Sequence, residues 1–209
     1  MEERFPGRMG LLMSPGGCRN PRSLPYAIDN GMYAAFVRSG HSIDINTQRN
    51  QWDHDLWRKG LEWALKLERS PLWAVAPDVV GNAEATRDQF RLWHQAFQRR
   101  GLITAIAVQD GMTPADVPDG VVCFLGGTTE WKWRNLAMFC RECPRVHVGR
   151  VNSYRRLWQC HEAGAESCDG SGWFRGDQSQ LRGLFSYLEQ STNSQLQPSR
   201  QLSLLKGKA

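Results

Sequence analysis

The stretch GAESCDGSG, residues 164–172, decides the fold. A short β-prone run ends on Asp169, small residues come at once, and a helical pattern resumes from Asp177. Three upstream stretches have the same order: YAIDNGMY (26–33) around Asp29, WAVAPDVVGN (73–82) around Asp78, and AIAVQDG (105–111) around Gln109. Each is a strand, a polar residue, glycine or proline, then a helix-like segment. Repeated strand–helix units with short connections call for a parallel sheet, because parallel neighbours need crossovers. The expected fold is therefore α/β, a compact (β/α)8-type barrel, either whole or with some helices or a strand trimmed, with an open doubly wound sheet as the alternative. In a parallel barrel the polar residues after the strands share the C-terminal rim, where such folds carry their chemistry.

Seven strands are expected, at Leu11–Met13, Tyr26–Asp29, Leu72–Ala76, Ile103–Gln109, Val121–Leu125, Val146–Val148 and Ala165–Asp169. Asn82 is placed to cap a helix carrying Phe90, Trp93 and Phe97 at helical spacing. Ser153 caps the helix YRRLWQCHEA, and Gly164 closes it. Asp177 opens a last helix with Leu181, Leu184, Phe185 and Leu188 on one side. Residues 1–190 read as one barrel domain, small beside the roughly 250 residues usual for this fold. Residues 191–209, rich in Ser, Gln and Lys, read as a flexible tail.

The chain of 209 residues carries 26 Lys+Arg against 21 Asp+Glu, a formal charge of +5. That excess permits nucleic acid as a partner without requiring it. Arg99, Arg100, Arg150, Arg155, Arg156 and Arg175 stand near expected helix ends or rim loops, where they read either as phosphate contacts or as a solvated surface. The start MEERFPGR is not signal-like, and no run approaches the roughly 20 apolar residues of a membrane span. Six cysteines in such a chain imply a reducing, cytoplasmic setting. Cys140-x-x-Cys143 with His147 after it has zinc-ligand residue types, but there is no second pair, and Cys160, His161 and Cys168 complete no familiar site. Buried thiols are the expectation, with no cofactor.

The ordered set Asp29-Asn30-Gly31, Asp78, Gln109-x-Gly111, Gly126-Gly127 and Asp169 resembles the tRNA-guanine transglycosylase superfamily. The stretch HVGRVNSYRRLWQCHEAGAESCDGSGWFRGD (147–177) looks like that family's penultimate strand, helix and nucleophile strand. The resemblance runs from about residue 10 to residue 177. The tRNA enzymes carry a C-terminal zinc module, whereas no cysteine or histidine comes after Asp169 here. The compact chain is more similar to the phage-encoded relatives that exchange guanine in DNA for a 7-deazaguanine base, whose setting is the host cytoplasm.

The resemblance implies base exchange through a covalent aspartyl–sugar intermediate. Asp169 is then the nucleophile and Asp29 the acid–base group. Asp78, Gln109, Asn30, Gly126 and Gly127 form the base pocket, and Arg150, Arg155, Arg156 and Arg175 hold backbone phosphates. The implied partners are DNA and a free 7-deazaguanine base, with tRNA the less favoured polymer. A carboxylate suits such chemistry because it can hold a sugar covalently while one base leaves and another arrives. Other readings stay open: a DNA glycosylase or nucleosidase on the same barrel, and a non-catalytic protein that binds modified bases. Asp29, Asp78 and Asp169 also each fit a simple turn. His147 reads as a packed or hydrogen-bonded strand residue.

Overall fold

A computed structural model describes residues 3–17, 20–173, 175 and 177–196. Its centre is a seven-stranded, wholly parallel sheet in sequence order: β1 (Leu11–Met13), β2 (Tyr26–Ile28), β3 (Ala74–Val75), β4 (Thr104–Val108), β5 (Val122–Leu125), β6 (Val146–Val148) and β7 (Ser167–Cys168). All seven lie within the expected runs. Sequential order rules out the doubly wound alternative, in which strand order reverses at a switch point.

Strand β4, Thr104-Ala105-Ile106-Ala107-Val108, is buried at every position, as a strand covered on both faces must be. One face supplies Ala27, Trp73, Val75, Ala105, Ala107 and Val122, which pack against each other as a separate core. Ile106, Val108, Cys123, Leu125, Val146 and Val148 alternate with them and pack outward on the helices. The sheet therefore curls around an inner core and wears its helices outside. β1 pairs with β2 and β7 with β6, and among the described residues neither edge is paired further, so the described strands form a partial barrel.

Helix positions obey local chemistry. Asn82 accepts from the Ala85 N–H at 3.0 Å and starts α4 (Ala83–Gln98). Thr128 caps α5 (Thr129–Glu142), and Ser153 caps α6 (Tyr154–Ala163), which ends on Gly164 at φ 84°. The Asp177 carboxylate accepts from the Ser179 and Gln180 N–H groups and opens α7 (Gln178–Leu196). That helix runs past residue 190, the boundary read from composition; residues 197–209 of the expected tail lie outside the described residues. Between β2 and β3 the chain forms three helices, α1 (Met32–Arg38), α2 (Ile45–Asn50) and α3 (His54–Ala64). Trp57 of α3 packs edge-on against Trp93 of α4, their ring centroids 4.9 Å apart. Among the described residues no helix is long and apolar enough to cross a membrane.

Candidate active site

Because the strands are parallel and in register, their C-terminal ends deliver Asp29, Asp78, Gln109, Gly126 and Asp169 to one side of the sheet. All five, with Asn30, Gly127, Arg150 and Arg175, line one cavity of about 1090 Å³. Arg155 and Arg156 do not line it. Arg156 lies over the Trp133 ring at 4.1 Å and donates to Gln159, so its guanidinium is engaged within the outer shell.

Asp169 comes directly after β7 on the inward face. Its Oδ1 accepts from the Arg150 N–H at 3.3 Å and meets His147 Nε2 at 3.2 Å. A carboxylate can only accept, so Nε2 carries a proton, and Nδ1 is hydrogen-bonded with the Ser167 hydroxyl at 2.8 Å. Among the described residues nothing hydrogen-bonds to Oδ2, which leaves that oxygen for a substrate. Close backbone approach requires glycine next: a Cβ on Gly170 would run into the Val151 carbonyl and the Asn152 side chain.

Asp29 comes directly after β2 and is held by the backbone N–H groups of Asn30 and Gly31 and by the Ser14 hydroxyl. Burial, then the charge of Asp169, raises its pKa to about 6. The two carboxyl groups therefore share one electrostatic environment. Asp78 is 5% exposed, and burial lifts its pKa to about 7. Its Oδ1 accepts from Asn30 Nδ2 and its Oδ2 from Gln109 Nε2, both at 2.8 Å. Gln109 also donates to Ala107 O and accepts from the Gly81 N–H. Both amides are thus bound to Asp78 and to backbone, and they position this carboxyl between three strand ends.

In the double-glycine turn, Gly127 sits at φ 66°, and a Cβ there would collide with Asp110 and Trp131. Asp110 holds the turn by accepting from the Thr128 N–H and hydroxyl, both at 2.6 Å. Arg150, itself at φ 58°, donates to Gly127 O and lays its guanidinium 4.6 Å from the Tyr33 ring at the cavity mouth.

Two residues near Asp169 fall outside the sequence-derived set of site residues. His147 is the packed, hydrogen-bonded strand residue expected, and its partner is Asp169; the signal was the alternation in β6, which puts His147 on the face of Ser167 and Asp169 once β6 and β7 are aligned. Lys132 of α5 is 1% exposed and donates to Gly149 O, at the loop that points the Arg150 N–H to Asp169. Burial, then Arg150, lowers its pKa to about 8. Lysine at a helix position reads as surface, so no sequence signal marked it. Lys132→Met should fold, because it removes a buried charge while keeping the volume. If the loop serves catalysis, the rate of adduct formation at Asp169 should fall about tenfold in that variant, checked by single-turnover mass spectrometry.

The zinc-like spacing does not gather in space: His147 faces Ser167 and Asp169, and among the described residues no three metal-ligating groups cluster.

The buried carboxyls make stability depend on pH. Asp29 and Asp78 hold protons up to about pH 6 and 7 when folded, but only to near 3.8 when unfolded. The folded chain therefore binds more protons across that window, and stability falls as pH rises through it. For Asp78 alone the change is on the order of 4 kcal/mol. Urea titrations at pH 5 and pH 8 should show this slope, and Asp78→Asn should flatten it.

Compared with known proteins, the chain matches no family model, no curated protein and no solved structure. The fold and site together define an α/β protein of the barrel-like parallel class, with carboxyl groups converging at the C-terminal rim.

Proposed function

We propose that this chain is a base-exchange transglycosylase on a trimmed (β/α)8 barrel, replacing guanine in DNA with a 7-deazaguanine base in the host cytoplasm. The observation that carries the reading is the pair Asp29 and Asp169, facing one cavity and coupled so that the charge of one raises the pKa of the other. In this scheme Asp169 Oδ2 attacks C1′, the bond from C1′ to the base nitrogen breaks, and its electron pair leaves with guanine, which takes the Asp29 proton. Asp29 then removes a proton from the incoming base. That base attacks C1′ and releases the Asp169 carboxylate, so protons and electrons balance over the cycle.

Attack also removes the negative charge that helps keep the proton on Asp29. The acid strengthens as the leaving group needs it. Asp78, with a pKa near 7, offers a carboxyl for the N–H edge of the base, and the Asn30 and Gln109 amides hold it in place. Tyr33 and Arg150 stand at the mouth, where an extruded nucleotide would enter. Arg175 at the rim and exposed Arg155 supply cations for flanking phosphates.

The test is incubation of the protein with guanine-labelled duplex DNA, with and without a free 7-deazaguanine base. Label release, backbone integrity and nucleoside mass are measured together. Release that needs the added base, with that base found in intact DNA, is the expected result. Release without it would make the chain a glycosylase. Activity on tRNA alone would replace the polymer, and binding without release would leave a modified-base binding protein.

A further inference from the structure

The cavity at the rim continues down the open side of the sheet. Besides the site residues it is lined by Leu11 and Leu12 of β1, Ser167 of β7 and, at the opposite end of the strands, Pro25, Leu72 and Glu166. Ser167 is exposed although its hydroxyl reaches inward to His147, and Leu12, which packs against the inner core, is only half-buried. Inner positions of a closed barrel are filled by packed side chains. Here the inner core sets Ala27, Ala105 and Ala107 beside Trp73, Val75 and Val122, and among the described residues no hydrogen bond joins β1 to β7, so the cavity runs between them beneath α7, which Phe5 and Arg8 contact from the N-terminal segment. The volume, about 1090 Å³, also exceeds what one purine needs, since drug-sized ligands occupy roughly 300–1,000 Å³.

Base exchange imposes a traffic problem. Between its two half-reactions a free base must depart and another must arrive. Throughout that interval Asp169 holds the sugar and the polymer lies over the C-terminal rim. A sealed barrel would leave the departing base no exit except past the polymer. We propose that the β1–β7 seam is a side port through which the uncharged heteroaromatic base leaves and its replacement enters while the rim is covered; this rests on the base-exchange reading above. The walls suit that passenger. Leu11, Leu12, Leu184 and Leu188 give an apolar path for a flat ring, and Ser167 and Tyr187 add hydroxyl groups for its polar edge. Arg8 and Glu166 bring one charge of each sign, not the run of cations that a phosphodiester chain would require.

Two measurements test the port with the full chain. In the first, Leu12→Cys is treated with N-ethylmaleimide, alone and saturated with a long DNA duplex, and labelling is located by peptide mass spectrometry. Labelling at rates within about twofold in both conditions is expected of a route that bypasses the covered rim, since thiol reactivity tracks access. A thiol that is unreactive alone, or protected by the duplex, overturns the port. In the second, Leu12→Trp should slow the appearance of labelled guanine in bulk solution about tenfold or more in a single turnover, with the rate of adduct formation at Asp169 unchanged. Unchanged release from the Trp variant also overturns it. Leu12→Cys reads the seam whether or not the Trp variant folds. An open seam in a chain that exchanges no base overturns the functional reading and takes the port's role with it. A closed seam in a chain that does exchange base overturns the port alone.

Discussion

Asp169→Asn should abolish formation of any covalent adduct with the sugar and reduce base release by a factor on the order of 10⁴ or more, the scale seen when an enzyme loses its nucleophile. The fold should survive, because asparagine keeps the shape, and its carbonyl oxygen can still accept from the Arg150 N–H and His147 Nε2. Intact-protein mass spectrometry after a denaturing quench checks the adduct, and label release checks the rate. A second readout does not depend on activity. Because the charge of Asp169 is the second cause of the raised pKa at Asp29, removing it should shift the titration of Asp29 downward from about 6, toward but not to the ordinary value. Burial, the larger cause, remains. An unchanged rate in Asp169→Asn would remove the aspartyl intermediate from the scheme.

Asp29→Asn should cost about 10²–10⁴ in rate, the usual worth of a positioned acid–base group. The pH profile separates this role from simple loss of structure. On the base-exchange reading the departing base takes its proton from Asp29, so single-turnover release should fall about tenfold per pH unit above the pKa near 6. In Asp29→Asn the limb that begins near 6 should be lost, leaving only the dependence that Asp78 adds near 7. A variant that keeps the native limb would show that another group carries the proton.

The strand ends were legible because each is fixed by its own alternation and by the turn residues beside it. Asp29, Asp78 and Gln109 stand where a short buried run meets a turn, Asp169 where a partly exposed run does, and a parallel sheet then collects them at one rim without further information. Features that depend on alignment between strands were not legible. His147 reaches Asp169 only because it pairs with Ser167, and register is a property of two strands together. Lys132 was hidden by residue type. Arg150 reads as a phosphate ligand by charge, yet its positive φ turns it onto Gly127 and Tyr33, a geometry no spacing shows. The helices in the connection from β2 to β3 lie outside the sequence pattern read above, although Asp44 and Asp53 accept from the Thr47 and Leu56 N–H groups and start α2 and α3. The count of seven strands was legible, whereas local pattern does not say which strands meet around a closure, so that the edges of β1 and β7 stay unpaired among the described residues is a fact of three dimensions.

The alanines inside the curled sheet limit how this molecule can be improved. Ala27 and Ala107 present only methyl groups to the cavity, where a packed barrel carries branched side chains, while Trp73, Val75 and Val122 fill the inner core beside them. Enlarging the two alanines would extend that core. The same enlargement consumes the room in which a ligand would sit. Stability and room for a ligand are thus set against each other at the same two methyl groups. A selection for heat resistance alone would drive the protein toward a sturdier barrel with its cavity filled.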